Sequence, residues 1–106
     1  MGWAYLLLAG ISEVIFTTAL KLSEDFTKLV PTVAFIISII ISFWFLTKAM
    51  ETIPLGTAYA VWTGIGVSGT VIIGLIYFKD PAGFWRLFFL ATLLISIIGL
   101  KFSSPD

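Results

Sequence analysis

The sequence predicts an all-α protein, a bundle of four helices that each cross a membrane. Three observations predict it. The 106 residues are 59% hydrophobic and 11% charged, with a mean hydropathy of +1.11; water-soluble domains run near half apolar and a quarter charged. The apolar residues gather into four stretches, each close to the ~20 residues a helix needs to span the hydrocarbon core. Nearly all charges and prolines sit in short breaks between those stretches or at their ends.

The first stretch covers about 3–20. Met1-Gly2-Trp3-Ala4 lacks a basic leader and Glu13 interrupts the apolar run, so it reads as a retained helix rather than a signal peptide. The polar run 21–28 ends it. The second stretch covers about 30–50, with Pro31 in its first turn, where a missing N–H costs little. Glu51-Thr52-Ile53-Pro54 is a tight connection to the third stretch, about 55–78. Lys79-Asp80-Pro81-Ala82-Gly83 is a turn. The fourth stretch covers about 84–100, and a polar tail follows from Lys101. The chain is one domain, 1–106, and an even number of spans puts both termini on one side of the membrane.

Composition excludes several functions. The chain has no Cys and no His, which removes disulfides, thiolate metal sites, and the commonest metal ligand and general base. It contains no Gly-rich phosphate loop and no spaced pair of carboxylates within the membrane. An enzyme is not expected, nor a cofactor, nor a metal. Six basic residues balance six acidic ones, so there is no basic patch for nucleic acid.

Glu13 is the one acidic residue inside any of the four stretches. A carboxylate at membrane depth is costly, and such groups mark ion or proton pathways. Helical spacing aligns Leu6, Gly10, Glu13, Thr17 and Leu20, with Phe16 and Ala9 at the edges. On this stripe Gly10 would open space beside the carboxylate, and Thr17 would offer a hydroxyl one turn later. Pairing of Glu13 with a basic residue, purely to join helices, has no partner in reach. Lys21 is about 12 Å away along the helix axis, and the other basic residues are near helix ends. Glu13 therefore points to cation or proton traffic across the membrane.

In the third stretch Tyr59 and Trp62 share a face, and aromatic faces attract cations. Tyr59 also suits an interfacial belt, whereas Trp62 lies deeper than such belts reach. Gly64 and Gly66 permit either a hinge or close helix packing, and Gly66, Thr70 and Gly74 form a ladder of small residues. Ser38 and Ser42 make a short polar stripe on the second helix; each could line a site or bond its own backbone. Thr92, Ser96 and Gly99 share an uncharged face on the fourth helix, suited to packing against a second subunit.

Four helices are too few to enclose a polar cavity and also supply two alternating halves, which transporters usually take from inverted repeats. No repeat is visible here, so a second chain is expected. Lys21, Lys28, Lys79 and Arg86 face Lys48, Lys101 and the α-amino group across the membrane, a small charge bias. That balance allows an antiparallel homodimer, and equally a preferred orientation beside a different partner. Two rivals to transport are a non-transporting membrane assembly partner, and a passive channel, which would need a continuous polar stripe.

The chain resembles the small multidrug resistance family of bacterial transporters. Its length and four spans carry the likeness, with Gly10-Ile11-Ser12-Glu13-Val14, Ser42-Phe43-Trp44 and the long run 54–66 (PLGTAYAVWTGIG). The resemblance implies an antiparallel dimer in the bacterial inner membrane that exchanges protons for cationic substrates. It assigns the essential glutamate to Glu13 and the cavity residues to Tyr59, Trp62 and Ser42. The 56–66 run and Gly99-Leu100-Lys101 look like the subtype that exports guanidinium and its small derivatives. The first helix departs from that subtype, which usually carries Trp where this chain has Phe16. Val14-Ile15 and Thr17-Thr18 look more like the subtype that exports quaternary ammonium and polyaromatic cations. Met50-Glu51-Thr52 and Tyr77-Phe78-Lys79 are similar to one subunit of a paired heterodimer.

Overall fold

The computed structural model describes residues 2–103, which form four helices: α1 Gly2–Leu22, α2 Leu29–Ala49, α3 Leu55–Ile76 and α4 Phe84–Ser103. Each is long and apolar enough to cross a membrane. Helices suit that setting because every backbone donor and acceptor in the span is paired within the segment. Met1 and the tail Ser104-Pro105-Asp106 lie outside the described residues.

The helix ends differ from the expected spans for local reasons. α3 stops at Ile76 rather than reaching 78. Tyr77 N–H makes the capping bond to Ile73 O (2.8 Å), and Asp80 N–H folds back onto Gly74 O (2.9 Å). Lys79, at φ 56°, reverses the chain between them. α4 continues past 100 through Lys101, Phe102 and Ser103, with Ser103 Oγ donating to Gly99 O at 2.8 Å. The polar tail therefore starts later than its first charge suggests.

The α1–α2 connection is a single left-handed turn. Glu24, Asp25 and Phe26 have φ of 48°, 61° and 66°, a conformation costing about 1–2 kcal/mol per L-residue. Ser23, fully buried, organises it. Its hydroxyl donates to Leu20 O (2.7 Å) and accepts from Phe26 N–H (3.2 Å), while its carbonyl accepts from Thr27 N–H (2.9 Å) and Lys28 N–H (3.1 Å). Phe26 then rests on Phe35 of α2, ring centroids 5.7 Å apart. The Glu24–Lys28 ion pair (2.8 Å) is solvent-exposed and adds little.

α1 is the central helix, packed along both α2 and α3; α4 packs its backbone against α3 alone among the described residues. The extents of 44 × 35 × 16 Å describe a flat arrangement, with helices more side by side than grouped around a centre. The buried core lies where α1, α2 and α3 meet: Leu6, Ala9, Leu46, Ala49, Ala58, Val61 and Trp62. Small residues set the close approaches, as is usual between helices in lipid. Gly10 receives Ile65, Gly69 receives Val14, and Gly64 receives Ile97 and Leu93 of α4.

Ser23→Ala removes the acceptor for Phe26 N–H and is expected to lower stability by about 1 kcal/mol. Denaturant titration of the protein in detergent micelles measures this; an unchanged midpoint would mean helix packing alone holds the turn.

Candidate functional site

Glu13 projects from the middle of α1 onto the face of α3 at Gly66. The fit is so close that a methyl group added to Gly66 would overlap the carboxylate, naming Glu13 Oε1, Cδ and Cγ as its nearest atoms. Oε1 is enclosed and has no hydrogen-bond partner. Beside it lies a cavity of about 210 Å³ lined by Glu13, Thr17, Gly66, Val67, Thr70 and Val71. Thr17 Oγ1 and Thr70 Oγ1 are 2.7 Å apart. Thr17 Oγ1 also lies 3.0 Å from both Glu13 O and Val14 O, either of which can accept its proton. Both threonines also line an adjoining cavity of about 130 Å³ that reaches Lys21 and Asp80.

No cation neutralises Glu13 among the described residues. The two ion pairs found there are Glu24–Lys28 and Lys48–Glu51. Lys21 lies instead over the ring of Phe78, 5.8 Å from its centroid. Nor is there a group of three or more His, Cys, Asp or Glu among the described residues that could hold a metal ion.

One turn before Glu13, a buried brace joins three helices. Trp62 Nε1 of α3 donates to Ser42 Oγ of α2 (3.0 Å), and Ser42 Oγ donates to Ala9 O of α1 (2.8 Å). Ser42 is fully buried and Trp62 is 9% exposed. The Trp62 ring touches Phe43 and Tyr59, with centroids 5.7 and 5.8 Å away. Tyr59 is 56% exposed, so it forms the outer edge of this aromatic cluster.

The remaining expected residues fall elsewhere. Gly10 opens no space beside the carboxylate, because Ile65 fills it. Phe16 is half-buried and meets Phe35 of α2 edge-on at 5.9 Å, so its ring belongs to the α1–α2 seam. Gly64 and Gly66, expected as a hinge or a close contact, sit in an unbroken α3 and each faces a close neighbour. Ser38 is buried in α2. Thr92, Ser96 and Gly99 are exposed on α4; Thr92 Oγ1 bonds Phe89 O (2.8 Å), and Gly99 faces open space. Thr70, which the sequence places in a ladder of small packing residues, also lines the Glu13 cavity. It stands one turn after Gly66, on the face of α3 that meets Glu13.

Fold and site together define a multi-pass membrane protein with one carboxylate at mid-depth, bordered by threonine hydroxyls and a tryptophan–serine brace. The family model described as Small Multidrug Resistance protein matches residues 1–93. Three relatives, from Proteus vulgaris, Salmonella typhimurium and Yersinia pestis, are each named guanidinium exporter. They are 44%, 44% and 42% identical over 104 residues, or 98% of this chain, and the match covers 100%, 99% and 100% of their own lengths. The chain belongs to the small multidrug resistance family: it is a multi-pass transport protein of the bacterial inner membrane, not an enzyme.

Two substitutions probe this arrangement. Gly66→Ala is expected to cost about 1–3 kcal/mol by displacing Glu13, whereas Gly56→Ala, which meets open space, should cost nothing in the same unfolding assay. Ser42→Ala strands the buried Trp62 N–H and should cost about 1–3 kcal/mol. Adding Trp62→Phe removes that unpaired donor, so the double variant should lose clearly less than the sum of the singles. Strict additivity in this cycle would show that the two residues are not coupled.

Proposed function

We propose that this chain exports guanidinium and related small cations in exchange for protons, with Glu13 as the shared binding group. The enclosed, unpartnered carboxylate beside an open cavity carries the reading. A group of this kind can hold a proton or a cation but not both. The names of the relatives, which match along their whole length, support the choice of cation. A guanidinium ion donates two parallel N–H bonds to a carboxylate, as an arginine side chain does. Thr17 and Thr70 present oxygens beside that position. Trp62 has committed its N–H to Ser42 and is buried outside the lining of the Glu13 cavity, so it serves the site by bracing it rather than by donating a bond to the cation. Competition for one carboxylate, together with alternating exposure to the two sides, yields exchange without a separate coupling device.

The flat bundle supports a second chain as the other half of the pathway. An antiparallel dimer brings two such carboxylates to one cavity, with the exposed Thr92, Ser96 and Gly99 face of α4 as the packing surface. Tyr59 closes the aromatic side of the site. The ring of Phe16, turned to Phe35, acts on the site through the α1–α2 seam rather than by donating a bond.

The test is proton flux in liposomes that contain the purified chain alone, driven by a guanidinium gradient. Wild-type protein is expected to carry flux, and Glu13→Gln, which keeps the shape but cannot exchange a proton, is expected to carry none. Coupled flux surviving in Glu13→Gln would overturn the proposal. Absence of flux from folded wild-type protein would overturn the self-sufficient form and require a different second subunit.

A further inference from the structure

A cleft of about 360 Å³ lies between α1, α3 and α4. It is lined by Leu6, Leu7, Val61, Ile65, Ile97 and Ile98, and at one end by Trp3, Lys101 and Phe102. It exists because α4 packs its backbone on α3 and leaves α1 uncovered. Trp3 opens α1 and Lys101 lies in the last turn of α4, so both stand at the same membrane face. The Lys101 ammonium sits 5.3 Å from the centroid of the Trp3 ring. It makes no ion pair among the described residues. The Trp3 indole N–H is enclosed and has no acceptor.

We propose that this cleft holds one anionic phospholipid, with an acyl chain along the apolar wall and the phosphate at Lys101 and Trp3. The two ends of the cleft differ in the way a lipid does: hydrocarbon surface inside, then a cation and an indole ring at headgroup level. Basic residues at that level favour anionic headgroups, and tryptophan rings settle at the same depth. A phosphate oxygen gives Lys101 the counter-charge it lacks among the described residues, beside the Trp3 ring that holds the ammonium in place. A second copy of the chain is a poorer occupant through its α4, whose charged residues are Arg86 and Lys101, so it would bring only further positive charge to Lys101. The site is independent of what the chain transports, since none of its lining residues touches Glu13's cavity.

Native mass spectrometry of the full chain, released from micelles holding equal amounts of phosphatidylglycerol and phosphatidylcholine, tests this. One phosphatidylglycerol per chain is expected, retained about fivefold over phosphatidylcholine. Lys101→Gln should erase the preference, while Lys48→Gln, at the same membrane face but paired with Glu51, should keep it. Ile98→Trp should fill the cleft and remove the retained lipid with Lys101 still present. Equal retention of the two lipids by the wild type, or an intact preference in Lys101→Gln, overturns the proposal. So does efficient disulfide cross-linking between chains of Ile98→Cys in membranes, which would put a second copy in the cleft.

Discussion

A carboxylate with an enclosed and unpartnered oxygen sets the terms for this fold. Glu13 cannot be covered by hydrocarbon alone at acceptable cost. The neighbouring helix meets it with the one residue that has no side chain, Gly66, and with the hydroxyl of Thr70 reaching Thr17 on the next turn. At this level the approach of α3 to α1 is set by a polar group, with Ile65 against Gly10 and Val14 against Gly69 filling the seam on either side. The glycines at 10, 64 and 69 then set how closely the other contacts can follow. Lipid gives helices little hydrophobic reason to associate, so these close contacts and the few interhelical hydrogen bonds do most of the holding.

The Trp62–Ser42–Ala9 chain complements this. It satisfies an indole N–H that would otherwise be orphaned in the core, and it uses a carbonyl of α1 that already serves its own helix. The result ties all three helices together one turn from the carboxylate. Rigid placement of that kind matters for a group whose work depends on what it faces. Thr17 and Thr70 line both the cavity at Glu13 and the one that reaches Lys21 and Asp80 towards one membrane face.

Much of this was legible in the sequence, and the physical reasons divide sharply. Composition and segment length are one-dimensional properties, so four spanning helices could be read directly. Glu13 stood out because burial in lipid makes a lone charge conspicuous. Gly10 and Gly66 could not be told apart in the same way. Gly10 lies about one turn from the carboxylate on α1 and Gly66 lies on a different helix, yet Ile65 fills the space at Gly10 while Gly66 receives Glu13 itself. That depends on how α3 is rotated about its axis, which spacing within one helix does not encode. Phe16 illustrates the same limit: its position on α1 is plain, but its turn towards Phe35 is a property of the α1–α2 crossing. The left-handed turn at 24–26 carried no glycine to announce it, because buried Ser23 supplies the bonds that hold it.

The attachment of α4 has a consequence for how such a chain can change over time. Its backbone meets α3 alone, and Glu13, Ser42 and Trp62 all belong to the other three helices. Mutations along the outer surface of α4 therefore revise the chain's neighbours, whether lipid or protein, while the Glu13 cavity and the tryptophan–serine brace are inherited untouched. The interior site and the choice of company are separable traits in this architecture, open to selection one at a time.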